Sequence, residues 1–419
     1  MSGVNRPELL SPAGSMESLK AAVNGGCDAV YLGGKQFSAR QYAGNFDLKE
    51  LEDACDYCHL RGVKVYVTVN TVYKDEELAG FLTYIRSLYE MGVDALIMQD
   101  TGAERLVKAH FPDFPLHAST QMTCNSLADV KYWEGRGFDK IVLSRELSLE
   151  EIRHITENTE AEIETFVHGA LCVCYSGQCI MSSMLGGRSG NRGRCAQTCR
   201  LPYTLYKGYD SMAEGYLLSP KDVMTVEILP QLIEAGIASL KIEGRMKSPE
   251  YVAGVTRIYR KYIDLYFENP EEYKVDPADI KALQQLFNRG GFTEGYYTSF
   301  AGREMMSIER PKSWGLKVGI VDKYLPKYKK VTIRTREPLV PGDGLEIWTQ
   351  TEPHVGTNVS KHSKAGEVIT ITLEGDINKN DVVYRTFGKA LQDELKKTYE
   401  KDTRKLPIYG MLRVKEGEP

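Results

Sequence analysis

Hydrophobic and polar positions follow two different rhythms along this chain. Over roughly the first 250 residues, short apolar runs of four to six residues recur, each preceded by a glycine and followed by small or polar residues: NGGCDAVYLGG, LRGVKVYVTVN, EMGVDALIMQD, GRGFDKIVLSRE and EAGIASLKIEGR. The glycine supplies the left-handed conformation that closes a helix. The uninterrupted apolar run reads as a strand buried on both faces, hence parallel. Between the runs, DLKELEDACDYCHL and DEELAGFLTYIRSLYEM place their apolar residues at helical spacing.

Eight strands can be read in about 245 residues: ELLSPAG, DAVYLGG, KVYVTVN, DALIMQD, LHASTQM, KIVLSRE, ETFVHGA and SLKIEGR. Alternating β and α elements in this number predict an α/β fold, a (β/α)8 TIM-like barrel. A doubly wound open sheet is the runner-up, but its usual Gly-rich nucleotide fingerprint is absent after the first strand. The seventh unit is interrupted by more than sixty residues that hold a cysteine cluster and an alternating segment, PYTLYKGYDSMAEGYLLS, which reads as a hairpin. Insertions after a barrel strand lie over the C-terminal face, where active sites are built.

The barrel is therefore expected over residues 1–300, with the Cys-rich insertion at about 170–220 and a helical stretch near 249–290. From Gly315 the apolar period becomes two, in GLKVGIV, KKVTIRT, GLEIWTQ, EVITITL and DVVYRTF. That predicts a small antiparallel β-barrel over 310–395. Residues 396–419 read as a helix and a strand, RKLPIYGMLRVKEGEP, with no partner after it, as at the start of a further domain.

Composition narrows the setting. A chain of 419 residues exceeds what one core serves. No apolar run approaches the roughly 20 residues that span a bilayer, and MSGVNRPELL lacks a signal peptide. A cytoplasmic protein without a membrane partner is expected, its nine cysteines serving as thiols, ligands or redox groups rather than disulfides. A net charge of −4 excludes a globally basic nucleic-acid binder and leaves room for a local basic patch.

Cys172, Cys179, Cys195 and Cys199 are spaced C-x6-C-x15-C-x3-C, with Cys174 extra. Four thiolates in this setting suggest an iron–sulfur cluster or a zinc site, and free thiols stay open. Zinc sites usually show two short knuckles, whereas only Cys195 and Cys199 make one here. The flanking GGRSGNRGR offers arginines to offset a cluster's negative charge. Cys27, Cys55, Cys58 and Cys124 read as small core residues. Cys55 and Cys58 lie inside a helical pattern, so they do not form a metal knuckle.

The segment ETFVHGALCVCYSGQCIMSS resembles the signature of the collagenase-like peptidase family of unknown catalytic type. Its residues are Glu164, Phe166, His168, Gly169, Ala170, Cys172, Ser176, Gly177, Cys179 and Ser182. RGRCAQTCR, SPKD, LKIEGRMKSPEYV, FNRGGFTEGY, ELLSPAGS and DAVYLGG also look like family segments, so the resemblance covers nearly the whole chain. The family name implies proteolysis. The resemblance to its bacterial members implies instead prephenate-dependent hydroxylation of the tRNA wobble uridine, with relatives acting on ribosomal RNA or ubiquinone precursors. It also implies a cysteine-bound iron–sulfur cluster, taken as four-iron four-sulfur. Cys172, Cys179 and Cys195 carry over as ligands. Cys199 is the choice for the fourth, Met224 removes one alternative position, and Cys174 is a weaker candidate.

A peptidase using zinc or a thiol is the alternative, and a non-catalytic scaffold a third reading. The chain has neither His-Glu-x-x-His nor Gly-x-Ser-x-Gly. His168 and Cys172 can in principle make a Cys/His pair, but the crowd of thiols favours ligation. His168 otherwise reads as a hydrogen-bond partner at the cluster or a packed histidine.

Barrel logic nominates the polar residues at strand ends: Ser11, Asn70, Gln99, Asp100, Gln121, Arg145, Glu146, Glu243 and Arg245. Lys241, Glu243 and Arg245 alternate on one strand and share a face. Arg245 and Arg200 are expected to clamp the small anionic cosubstrate, prephenate, by two-pronged hydrogen bonds. A buried ion pair is the competing role for each. His168, Glu243 and Arg245 are the expected catalytic set. For tRNA, Arg188, Arg192 and Arg194 offer charge, as does KYLPKYKKVTIRTR with Tyr324 and Tyr328. A lysine-protected edge strand is the competing reading of that segment.

Overall fold

The computed structural model describes residues 4–40, 44–299, 302–406, 408–412 and 414. Strands β1 (Glu8–Pro12), β2 (Ala29–Gly33), β3 (Lys64–Val69), β4 (Ala95–Met98), β5 (Leu116–Ala118), β6 (Lys140–Val142) and β7 (Glu162–Ala170) pair in sequence order. The insertion follows, with β8 (Tyr203–Lys207) and β9 (Asp210–Gly215) forming the expected hairpin. After β10 (Asp222–Met224), strand β11 (Ser239–Ile242) pairs in parallel with both β7 and β1 and closes an eight-stranded barrel. All eight strand readings fall on barrel strands, and closure excludes the open sheet.

Alternate residues along the strands explain the two faces. Leu9, Val30, Leu32, Val65 and Val67 join the large core that the helices cover. Leu10, Ala29, Tyr31, Tyr66, Ala95 and Ile97 form a separate cluster, as expected of the barrel interior. Paired charges fill the rest of the interior: Lys140 donates to Glu8 at 2.7 Å, Lys241 to Glu164 at 2.6 Å, and Ser239 Oγ lies 3.0 Å from an oxygen of each carboxylate. Lys241 is thus committed to a buried ion pair below the mouth.

Two short strands escape periodicity. β10 runs antiparallel to the end of β7, with Asp222 opposite Ala170 and Met224 opposite His168, and also pairs with β12 (Phe292–Thr293). This pairing accounts for the nine-residue length of β7.

Strands β13 (Leu316–Leu325), β14 (Lys330–Thr335), β15 (Gly344–Trp348), β16 (Val355–Asn358), β17 (Val368–Thr372) and β18 (Val382–Phe387) build the second, antiparallel unit in the order β16-β15-β18-β13-β14-β17. The sheet curls as a half-barrel around Val318, Val321, Val331, Ile333, Ile347 and Val383. The helix Lys389–Tyr399 then packs against the barrel helix Pro249–Glu268, and Tyr399 Oη donates to Glu250 at 2.8 Å. Its start at Lys389 precedes the expected boundary at 396.

The strand expected in RKLPIYGMLRVKEGEP is not formed among the described residues, and 407, 413 and 415–419 lie outside them. Alternation needs an edge to pair with. Here the chain uses side-chain anchors instead: Asp402 binds Tyr57 and Arg61, and the Arg404 amide donates to Asn24. Among the described residues no helix is long and apolar enough to cross a membrane.

Candidate functional site at the barrel mouth

The insertion is tied across the strand ends by polar contacts. Gln99 Nε2 donates to the carbonyls of Asn70 (2.7 Å) and Asn191 (3.0 Å). Arg192 reaches both carboxylate oxygens of Glu77, at 2.8 and 3.0 Å, and the carbonyl of Val72. Thr123 Oγ1 donates to the carbonyl of Ser176, whose amide and hydroxyl donate to Glu146. Burial raises the Glu146 pKa. Gly177, at φ +78, passes so close to this rim that a Cβ would lie 2.3 Å from the Gln121 carbonyl oxygen. Only glycine allows both that conformation and that approach.

These anchors bring the cysteines over the barrel. Cys172, Cys174, Cys179 and Cys199 are partly buried and Cys195 is exposed, and none is in a disulfide. Burial pushes the Cys199 thiol up to about 11, the Arg200 charge opposes this, and Cys172, Cys195 and Cys179 add to the rise. Cys174 is raised by burial, then by Cys179 and Cys172. The thiols are therefore within electrostatic reach of one another.

Among the described residues, however, no three His, Cys, Asp or Glu side chains converge to hold a metal ion. A zinc ion needs its ligands at about 2.0–2.3 Å from one point, which this arrangement does not offer. A cluster spreads its thiolate ligands over several iron atoms. Cys172, Cys174, Cys179, Cys195 and Cys199 supply free thiols of the kind such a cluster takes. Cys27, Cys55, Cys58 and Cys124 are buried core residues, and burial raises Cys55 and Cys124 to about 12. Met224 is buried on β10 opposite His168.

Below the thiols, Glu243 lies between Arg40 (Nη2–Oε1 3.6 Å) and Arg145 (Nη2–Oε2 3.7 Å). Burial pushes its carboxyl up, but Arg40, Arg145, Arg245 and Lys241 outweigh that and leave it below the ordinary value. The Arg145 guanidinium lies 4.1 Å from the Phe166 ring centroid. Arg40 is held more basic by Glu243, and its charge interacts with Cys195 and Cys172. Sequence reasoning missed Arg40 because FSARQYAGNFD has no periodicity. The signal that could have found it is its place in the loop after β2, the same barrel logic that nominated the other strand ends.

The expected Arg245–Arg200 clamp is not assembled. Arg245 Nη1 donates to Ser38 Oγ and Thr68 Oγ1, both at 2.8 Å, and burial followed by Arg40 lowers it to about 10. Arg200 donates to Ser219 Oγ (2.8 Å) and to the carbonyls of Pro220 (2.9 Å) and Leu171 (3.1 Å). The two share no partner, and both guanidiniums are spent on fixing loops. Ser11 also leaves the mouth, bonding Thr256 at 2.8 Å under the helix Pro249–Glu268. Asn70 accepts from the Ala39 amide, and Asp100 caps the helix Thr101–His110.

His168 packs against Tyr251, Tyr259 and Phe292, and burial followed by the Lys247 charge lowers it to about 3. Tyr259 Oη lies 3.4 Å from its Nδ1. It is a neutral, packed histidine, and its contacts do not form a Cys/His pair. In the β-domain, Lys329 pairs with Glu374 and Arg334 with Asp322, Tyr324 packs on the core, and Tyr328 remains exposed. That segment keeps less free charge than its composition suggests. Beside the insertion, a groove of about 450 Å³ is lined by Lys35, Phe37, Ser38, Glu77, Arg192 and Arg194.

Residues 14–307 match the family model described as Peptidase family U32. The chain belongs to peptidase family U32. It is 37% identical over 352 residues to the tRNA hydroxylation protein P1 of Bacillus subtilis, covering 82% of this chain and 83% of that protein. It is 40% identical over 371 residues to a 23S rRNA 5-hydroxycytidine synthase of Escherichia coli, covering 87% of this chain and 55% of the relative. A U32 relative named collagenase, from Porphyromonas gingivalis, is 36% identical over 312 residues, 70% of this chain and 74% of that protein. The U32 match takes in the whole cysteine insertion and all of β2 to β11. The family expected from the motifs is therefore the family found.

Proposed function

We propose that this chain acts in RNA hydroxylation, specifically prephenate-dependent 5-hydroxylation of the tRNA wobble uridine. We further propose that Cys172, Cys179, Cys195 and Cys199 hold a four-iron four-sulfur cluster. One observation carries the reading: a thiol-rich insertion tied over a barrel mouth whose floor is strongly cationic. The U32 relatives named for tRNA hydroxylation and for hydroxycytidine synthesis support the reaction class.

When bound, such a cluster supplies electron transfer or an iron-bound position for a substrate atom. The chain's own residues hold and shape the site. Arg40 and Arg200, whose charges reach the thiols, offset the negative charge of thiolate ligands. Gln99, Arg192 and Thr123 tie the insertion to the barrel rim. Exposed Tyr175 in the cysteine loop offers a face for a stacked base, and Arg194 on the groove offers charge for a phosphate.

The peptidase reading has less support. A thiol nucleophile needs a base beside it, and His168 is engaged with tyrosines instead. Mass spectrometry of tRNA nucleosides tests the proposal in a deletion strain complemented with the wild-type chain or Cys172→Ser. Hydroxyuridine should return only with the wild type. Unchanged hydroxyuridine in the deletion strain overturns the tRNA assignment.

A further inference from the structure

The buried cations of the barrel are nearly all hydrogen-bonded. Lys140 has Glu8 at 2.7 Å, Lys241 has Glu164 at 2.6 Å, Arg289 has Asp222 at 2.7 Å, and Arg245 has two hydroxyls at 2.8 Å. The Lys247 ammonium, set against the Phe287 ring, makes no hydrogen bond among the described residues, and neither does the guanidinium of Arg145, although it carries five donors. The Arg145 side chain is 13% exposed, its Nε is buried without a partner, and its closest carboxylate oxygen is 3.7 Å away. Arg40 is little better used: it donates one hydrogen bond, to the Ala39 carbonyl at 3.3 Å, and its nearest Glu243 oxygen is 3.6 Å away.

The charge count agrees. The carboxylate of Glu243 feels Arg40, Arg145 and Arg245, Glu146 also feels Arg145, and Lys241 is matched by Glu164. Three cations against two carboxylates still leave an excess of positive charge. Glu243 is too far from either guanidinium for a hydrogen bond, so it keeps both charged without saturating their donors. Arg40 is 35% exposed and Glu243 15%, so the floor is open from the mouth. The geometry points to a carboxylate clamp formed by Arg40 and Arg145 on either side of Glu243, taking a small dicarboxylic acid beside the thiols. Arginine suits this because its planar fork matches a carboxylate two-pronged.

The clamp rests on the proposed function only for the identity of the acid, prephenate. Calorimetric titration of the anaerobically purified full chain tests it, with prephenate and its monocarboxylate relative phenylpyruvate as probes. Saturable prephenate binding is expected, with phenylpyruvate at least about 10-fold weaker because one charge-assisted pair is lost. Arg145→Gln and Arg40→Gln should each weaken prephenate about 10- to 100-fold, and Arg145→Gln should do so at unchanged iron content and melting temperature. Arg145→Lys keeps the charge but not the fork and should not restore affinity. Should Arg145→Gln misfold, the more exposed Arg40→Gln carries the test. Wild-type affinity in both Gln variants, or no saturable binding by the wild type, overturns the clamp. If prephenate binds and the variants lose it while tRNA hydroxyuridine is unaffected in the deletion strain, the clamp stands and the tRNA assignment falls.

Discussion

Arg200 donates from Nη2 to the carbonyl of Leu171 at 3.1 Å, and so joins the two ends of the cysteine-bearing part of the insertion. Leu171 precedes Cys172 and Arg200 follows Cys199. One hydrogen bond therefore registers the first thiol against the last. Ser219 and the Pro220 carbonyl hold the same guanidinium in place. Replacing Arg200 with Ala removes three charge-assisted bonds, each worth about 1.5–3 kcal/mol. Arg200→Ala should lower the iron bound per chain after reconstitution more than it lowers thermal stability, read by iron analysis beside a melting curve. Arg200→Lys should recover little of it, because one ammonium cannot reach three divergent acceptors.

His168 makes a pH prediction. Its folded pKa of about 3 lies below the ordinary 6.5, so the unfolded chain binds more protons between those values. Stability from keeping it neutral is complete above about pH 6.5 and is lost progressively as pH falls toward 3. His168→Phe should flatten that part of the stability profile, measured by urea midpoints from pH 7 down to the acid limit. Activity near neutral pH should show no titration assignable to His168. An acid limb in the rate near pH 6 that His168→Phe abolishes would contradict the packed role.

The buried pair Lys241–Glu164 is a second stability test. Both side chains are almost fully buried, and Ser239 completes the carboxylate's bonding. Glu164→Gln leaves an uncompensated ammonium in the barrel, a change that costs about 3–5 kcal/mol when one partner of a buried pair is removed. Denaturant unfolding should show a loss of that order. The double variant Glu164→Gln with Lys241→Met should recover part of it, since the unpaired charge is gone.

Legibility in the sequence followed the physical strength of each signal. The barrel strands were readable as short runs buried on both faces, five of them behind a helix-closing glycine, as in DAVYLGG. β10 and β16 were not: three or four residues carry no period, and neither holds a place in the alternating β and α rhythm that revealed the equally short β5 and β6. The tail RKLPIYGMLRVKEGEP alternates like a strand but meets no edge among the described residues. The cysteine insertion was placed by the interrupted rhythm. Arg200 and Arg245 were read together as a clamp, but each already bonds hydroxyls or carbonyls of its own and they share no partner, and sequence does not say which donors are already used. Arg40 acquires its meaning only when the barrel brings it against Glu243.

The five thiols should separate by role. Cys199 is coupled to Cys172, Cys179 and Cys195, whereas Cys174 interacts mainly with its loop neighbours Cys179 and Cys172. Serine at any of Cys172, Cys179, Cys195 or Cys199 should abolish the brown chromophore on anaerobic reconstitution, because an alcohol is a far poorer iron ligand than a thiolate. Cys174→Ser should retain both colour and iron-to-sulfide ratio. The opposite result, with Cys174 required and Cys199 dispensable, would reassign the fourth ligand to the first segment. Arg200 would then serve only to close the insertion. Chelation of iron from the wild type should leave the barrel folded, since its core clusters and the Gln99, Arg192 and Thr123 anchors contain no thiol ligand, and should loosen only the cysteine segments. Hydrogen exchange across residues 171–200 against that of the barrel strands reads this directly.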